Sequence, residues 1–359
     1  TLEMINQVEP NISSEDIESV SEYMQSGSWI TEHKLTKDLE DKVATYVDRK
    51  YAVAVPNGTI AIYLALIASG IRNGHKVAVP NITMIATINA IIWAGAEPVI
   101  VDIDNNLCMS LDSLKKVPDI DAAIFVPLNG RVGSGLEIQE YCKDKDIILI
   151  EDSAHALGSS YLNQKCGSLG SLSIFSFTPH KIITMGQGGM ILSDDENLYQ
   201  KLIDIKTFNR EKDKSDFHKG FGLNFKITDL QSSLGLSQLS KLEEFIKLKK
   251  DLHRQYSNNI NDKYLKSFNE YETPWFIDLY CNSRNQRKEL HLYLKQKNIE
   301  TRFSYPSLSS QSYLQNIEKT DLTFSEEISN NILWLPSSTN LSIEDVEYVS
   351  SAVNNFLEN

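Results

Sequence analysis

Between Tyr51 and Leu192 the chain alternates short, β-branched apolar runs with stretches of helical character. The runs are Tyr51–Val55, Lys76–Val79, Pro98–Asp102, Ala122–Val126, Ile147–Glu151, Leu172–Ser176 and Gly189–Leu192. Several are apolar almost throughout, so both faces of each strand need cover. Helices read at Thr59–Ser69, Thr83–Trp93, Leu136–Lys143 and Asn197–Phe208 supply it. This alternation predicts an α/β fold with a mainly parallel, seven-stranded sheet between helices.

The pattern then changes. A long helical stretch rich in Leu, Lys and Glu covers Leu230–Leu252. Beyond it lie strand-like Trp275–Cys281 and helices at Gln286–Lys297 and Ile343–Leu357. We therefore expect a large domain over residues 1–245, including an N-terminal arm, and a smaller C-terminal α+β domain over 246–359.

Charge narrows the partners. Asp and Glu number 48 against 35 Lys and Arg, a net −13 spread along the chain. That leaves no basic stripe for nucleic acid or anionic lipid. No apolar run reaches the ~18 residues of a membrane span, and residues 1–25 lack a basic-then-apolar leader. Cys108, Cys142, Cys166 and Cys281 lie far apart without a C-x-x-C pair, so neither a disulfide framework nor a metal site is expected. These features predict a soluble, cytoplasmic protein. A phosphate-bearing small molecule stays compatible, because backbone amides hold phosphate whatever the net charge.

Four local features carry chemistry. Pro56-Asn57-Gly58-Thr59 follows the first strand and opens a helix. Free N–H groups and the positive dipole end there suit a phosphate, although a plain capped turn has the same form. Glu151-Asp152 closes the strand Ile147–Ile150, and ligands of open α/β sheets gather beyond the carboxyl ends of strands. Pyridoxal phosphate requires such a carboxylate against its pyridine nitrogen. In the stretch Phe175 to Lys181, Ser176 closes a strand and Lys181 follows five residues later, ahead of Gly186-Gln187-Gly188-Gly189. A lysine acts as a Schiff-base nucleophile only where burial or nearby cations keep part of it neutral. Gly222 to Asp229 is a loop running into a helix capped by Thr228 or Asp229.

In this order and spacing the four features resemble the sugar aminotransferase family named after DegT, DnrJ, EryC and StrS, whose members have an aspartate-aminotransferase-like fold (fold type I). Lys50 to Thr59 resembles the family's strand and phosphate turn, and Glu151 to Gly158 its E-D-A-A-[QH]-A-x-G segment. F-S-F-x-x-x-K and the trailing G-x-G-G fit Phe175 to Gly189 without gaps, and Gly222 to Gln231 resembles G-x-N-[FY]-[KR]-x-[ST]-[DE]-x-Q. The resemblance implies pyridoxal 5'-phosphate as cofactor, with pyridoxamine 5'-phosphate as its intermediate. It further implies Lys181 as the Schiff-base lysine and proton shuttle, Asp152 against the pyridine nitrogen, and His155 near the phenolic oxygen. Gly58, Thr59 and Ser176 would bind the phosphate, joined by Asn224 from the neighbouring subunit of a homodimer with shared active sites. Two departures stand out. The family's aromatic residue over the pyridine ring, in T-[FWY]-x-A-[ST], is Met84 here, whose thioether also packs on rings. Asn129-Gly130-Arg131 stands where many members have H-x-x-G, a change that bears on the substrate side.

The resemblance implies transfer of an amino group from L-glutamate to a nucleotide-linked keto-sugar, for surface polysaccharide or glycan biosynthesis such as the O-antigen of lipopolysaccharide. Ile182 to Gly189 is similar to the branch working at C4 of GDP-linked 4-keto-6-deoxy sugars, which includes perosamine synthases and a sugar 3-dehydratase. Trp29 and Arg302 are expected at the nucleotide or the donor carboxylate. One competing reading is a pyridoxamine-phosphate-dependent sugar 3-dehydratase, in which histidine replaces the lysine. His180 and Lys181 are adjacent, so register decides, and the motif counts to Lys181. The other is a non-catalytic, cofactor-binding regulatory homologue, against which intact Lys181, Asp152 and Ser176 speak.

Overall fold

The computed structural model describes residues 3–358. The chain supplies β1 (Tyr51–Val55), β2 (Lys76–Pro80), β3 (Glu97–Val101), β4 (Ala122–Phe125) and β5 (Ile148–Asp152) in turn. A short hairpin of β6 (Ser160–Tyr161) and β7 (Gln164–Lys165) precedes β8 (Leu172–Ser176) and β9 (Gly189–Ser193). Later come β10 (Ile277–Tyr280), β11 (Arg302–Phe303), β12 (Glu318–Lys319) and β13 (Ile332–Leu335). The main sheet runs β1-β9-β8-β5-β4-β2-β3-β12. It holds all seven expected strands, and β12 adds an eighth, parallel to β3. Within it β9 is reversed, pairing antiparallel with both β1 and β8.

Burial on both faces explains the apolar strands. In β1, Val53 and Val55 pack with helix Gly58–Ala68, whereas Ala52 and Ala54 pack with helix Lys34–Val47. Successive strand residues point to opposite faces, so each face receives its own core. Helix Gly58–Ala68 is apolar nearly all round because the sheet covers one side and helices Ala86–Trp93 and Glu196–Lys206 the other. With β9 reversed, the carboxyl ends of β1, β5 and β8 share one edge with the amino end of β9. Gly189 pairs there with both Val55 and Ser176.

The C-terminal sheet, β10-β13-β11, is antiparallel and packs with helices Arg284–Gln296 and Ile343–Leu357. Two elements depart from the sequence reading. The stretch Leu230–Leu252 is two helices, Asp229–Ser240 and Leu242–Asn259, parted at Lys241. The Lys241 ammonium bonds Ser13 Oγ at 2.6 Å and Asp16 Oδ2 at 2.7 Å, and the second helix carries Leu252 and Tyr256 into the core of the C-terminal sheet. Residues 245 and 246 lie inside that second helix, with Phe245 and Ile246 in the core of the main sheet and Leu252 and Tyr256 in that of the smaller one. The N-terminal segment is bonded to the C-terminal part of the chain: the Ile5 N–H donates to the Asn298 carbonyl at 2.9 Å and the Ser337 N–H to the Gln7 carbonyl at 2.8 Å. Finally, the strand at Trp275–Cys281 shortens to β10, because the Asn129 side chain takes the backbone of Phe276. Its Oδ1 accepts from the Phe276 N–H at 2.6 Å and its Nδ2 donates to the Phe276 carbonyl at 2.8 Å. Among the described residues no helix is long and apolar enough to cross a membrane.

Candidate active site

The shared edge of β1, β5, β8 and β9 forms the floor of a cavity of ≈ 400 Å³ that β11 and the segments around it close from the C-terminal side. Gly58, Thr59, Met84, Asp152, His155, Ser176, Lys181 and Arg302 all line it. Asn224 and Trp29 do not: Asn224 sits on an exposed loop bridged to Thr207, and Trp29 is 68% exposed on the surface.

At one end, helix Gly58–Ala68 presents its N-terminus. The Asn57 side chain accepts from the Ile60 N–H at 3.0 Å, which leaves the Gly58 and Thr59 amides open toward the cavity. A Cβ on Gly58 would stand 3.0 Å from Ser176 Cβ and 3.3 Å from Ser176 Oγ, so glycine is what lets the helix end and the Ser176 hydroxyl converge. Two amides, a hydroxyl and a positive dipole end meet here, a geometry made for a phosphate.

On the floor, the two acids closing β5 part ways. Adjacent strand residues face opposite sides. Glu151 turns into the core beneath, where Tyr161 Oη donates to it at 2.8 Å and the Leu169 N–H at 2.9 Å. Asp152 faces the cavity, with Thr87 Oγ1 donating to its Oδ2 at 2.8 Å. Thr83 Oγ1 lies 2.8 Å from Thr87 Oγ1, so Thr87, whose proton is committed to Asp152, accepts from Thr83. Burial pushes the Asp152 carboxyl up, against the opposing pull of Thr87, the Ala154 N–H and Lys181. A buried carboxylate in that condition suits a cationic partner such as a pyridinium.

Lys181 stands over the Trp275 ring, its Nζ 4.4 Å from the centroid. Loss of water around the amine pushes it down to about 8, with Arg302 acting the same way and Asp152 opposing. A useful fraction is therefore neutral near pH 7, which a nucleophilic amine requires. The Trp275 indole N–H donates to the His180 carbonyl at 2.7 Å and anchors the loop just before the lysine. Trp275 also stacks on His155, with centroids 3.8 Å apart. His155 is buried and uncharged: burial holds it well below its usual value, helped by Lys181 and Arg302.

Met84 reaches the mouth of the cavity 44% exposed, and its sulfur accepts from the Ala86 N–H at 3.1 Å, so the thioether folds back on its own turn. Arg302 forms no ion pair among the described residues and lies 5.6 Å from the Trp334 ring centroid. Asn129 and Arg131 stay out of the cavity: both bond to Asp278, which also accepts from the Trp334 indole at 2.8 Å. Their departure from the family pattern thus falls on a buried network behind His155 and not on the substrate side. Thr87, which bonds Asp152, and Trp275 and Tyr305, which line the cavity, are not marked as site residues by any motif in the sequence. The spacing of Thr83 and Thr87, one helical turn apart beneath an acid, was the one readable signal; the other two carry none.

The phosphate cradle, the buried carboxylate and the partly neutral lysine fit the three ends of pyridoxal phosphate. Fold and cavity together define a pyridoxal-phosphate-dependent aminotransferase of fold type I. The sequence pattern of the DegT/DnrJ/EryC1/StrS aminotransferase family matches residues 10–354, and the chain belongs to that family. It is 33% identical over 356 residues to the GDP-perosamine synthase of Escherichia coli O157:H7, covering 97% of each chain. To the UDP-4-amino-4,6-dideoxy-N-acetyl-beta-L-altrosamine transaminase of Campylobacter jejuni serotype O:23/36 it is 28% identical, covering 99% of this chain and 98% of the other. The fold is that of Helicobacter pylori PseC, an aminotransferase involved in pseudoaminic acid biosynthesis, with a TM-score of 0.93, 23% identity, and coverage of 99% of this chain and 100% of that one.

Proposed function

We propose that the chain moves an amino group from L-glutamate to C4 of a GDP-linked 4-keto-6-deoxy sugar, in the cytoplasm, for surface polysaccharide biosynthesis. Transamination of a keto-sugar belongs to the family; the nucleotide, carbon and donor are our reading, supported by the loop Ile182 to Gly189 and by the E. coli relative. The observation that carries it is the Lys181 amine, held near pH 8 in the same cavity as Asp152 and the helix end at Gly58.

When bound, pyridoxal phosphate supplies an aldehyde that takes up amines and a ring that draws electrons from the carbon beside them. Gly58, Thr59 and Ser176 hold its phosphate. Asp152 keeps the proton on the pyridine nitrogen. Lys181 would be the base that takes the proton from the donor's Cα and the acid that returns one to the sugar carbon. His155 flanks the ring, and Arg302 takes a carboxylate or phosphate of the incoming partner. Asn224 reaches the phosphate of a second subunit; large exposed apolar side chains, among them Trp29, Phe217 and Phe221, support a homodimer that covers them.

The test is an absorbance spectrum of the protein loaded with pyridoxal phosphate, taken after L-glutamate and again after a GDP-linked 4-keto-6-deoxy hexose. Loss of the visible band with glutamate and its return with the sugar are expected. A band indifferent to glutamate excludes that donor, and one restored only by a UDP-linked sugar moves the assignment to the other nucleotide.

A further inference from the structure

Both ring nitrogens of His155 are already engaged by the protein. The Asn129 backbone N–H donates to Nδ1 at 3.2 Å, and Nε2 lies 3.1 Å from Tyr305 Oη. A backbone amide can only donate, so Nδ1 carries no proton, and a neutral imidazole then carries its hydrogen on Nε2. That hydrogen goes to the Tyr305 oxygen. Tyr305 lines the cavity beside Asp152 and Lys181, and its own hydroxyl hydrogen has no acceptor among the described residues. Two further contacts fix the arrangement: the His155 ring is pinned on Trp275, and the Tyr305 ring stands edge-on to Trp334 with centroids 5.0 Å apart.

We propose that Tyr305, oriented by His155, is the group that donates a hydrogen bond to the phenolic oxygen of bound pyridoxal phosphate. This rests on the cofactor reading above and reassigns the role that family resemblance gives to His155. The direction is set from behind: Asn129 selects the His155 tautomer, His155 occupies the Tyr305 oxygen as an acceptor, and the tyrosine proton is left pointing at the ligand. Burial holds the Tyr305 hydroxyl far above its usual value, so it stays a neutral donor at any working pH. Tyr305 comes from the C-terminal part of the chain while Asp152 and Lys181 come from the main sheet, so the contact would tie the cofactor to both.

The experiment compares wild type and Tyr305→Phe, each loaded with pyridoxal phosphate or with its 3-deoxy analogue, which lacks the phenolic oxygen. For pyridoxal phosphate the variant should bind about tenfold more weakly, the cost of a hydrogen bond to a charged oxygen. For the analogue the two proteins should bind alike. The pH midpoint of the bound cofactor's visible absorption should also move up by about one unit in the variant, because the oxygen becomes more basic without its donor. Equal losses for both ligands would show a packing role only and overturn the proposal, as would no loss for either. Should Tyr305→Phe fold poorly by circular dichroism, the comparison of the two ligands within wild type stands alone: equal affinity would overturn the proposal. A wild type that takes up no pyridoxal phosphate at all sinks the cofactor reading instead, a separate failure.

Discussion

Trp275 holds the His180 carbonyl through its indole N–H at 2.7 Å while its ring face lies under the neighbouring Lys181 amine. The loop that carries Lys181 is thus fastened by a side chain that arrives 95 residues later. Trp275→Phe keeps a ring under the amine and removes the hydrogen bond, worth about 1 kcal/mol. We expect kcat to fall several-fold with a smaller change in KM, and steady-state kinetics would show it. An unchanged kcat would mean the loop holds its shape unaided.

Lys181 gives a pH signature with a defined sign. Its amine sits at about 8 in the fold against 10.5 ordinarily. Between those values the unfolded chain binds more protons than the folded one, so this group's contribution to stability rises with pH from about 8 to 10.5. Lys181→Met should therefore make the cofactor-free protein more stable than wild type at pH 7, and the gap should shrink as pH climbs through that window. Urea unfolding of both proteins at pH 7 and 9.5 checks it. A gap that widens with pH contradicts the depressed amine. Turnover in the same variant should be undetectable.

Gly58→Ala should cost the phosphate subsite without unfolding the protein. The new methyl would press on Ser176, 3.0 Å from its Cβ. Affinity for pyridoxal phosphate should drop about tenfold or more, a loss of at least ~1.4 kcal/mol, while pyridoxal without phosphate binds as weakly to the variant as to wild type. Fluorescence titration with both compounds decides; parallel losses would place the damage elsewhere.

Thr87→Val keeps the side-chain volume and removes the hydroxyl donor to Asp152. With burial already raising that carboxyl, losing Thr87 raises it further. Cofactor affinity should fall by about tenfold, since hydrogen bonds to charged groups are worth roughly 1.5–3 kcal/mol. Unchanged affinity would mean that the Ala154 amide alone suffices.

The residues legible in the sequence share a trait. Gly58, Asp152 and Ser176 each sit at a strand end or helix start, where a local pattern marks the turn, and Lys181 follows Ser176 within one loop; all four line the cavity. The same patterning marks seven of the eight strands of the main sheet. Tyr305 and Trp275 were illegible because nothing local marks them. They meet His155 across 150 and 120 positions of chain, through contacts that only the packed C-terminal part creates. The junction at Lys241 was illegible for a related reason: lysine is a helix former by propensity, and its partners Ser13 and Asp16 lie far upstream in the chain. The strand β12 is only two residues long, below what period-two patterning can register.

That two-residue strand has a consequence for how the molecule behaves among its own copies. β3 is buried over four of its five positions and would otherwise end the sheet with an open row of amides and carbonyls. Such a margin is a template on which strands from other chains add. Glu318 and Lys319 occupy it, and the Glu318 carboxylate meets Lys76 at 2.8 Å, so the margin that faces outward is short and charged. The returning C-terminal chain therefore caps the margin at which edge-to-edge pairing would begin.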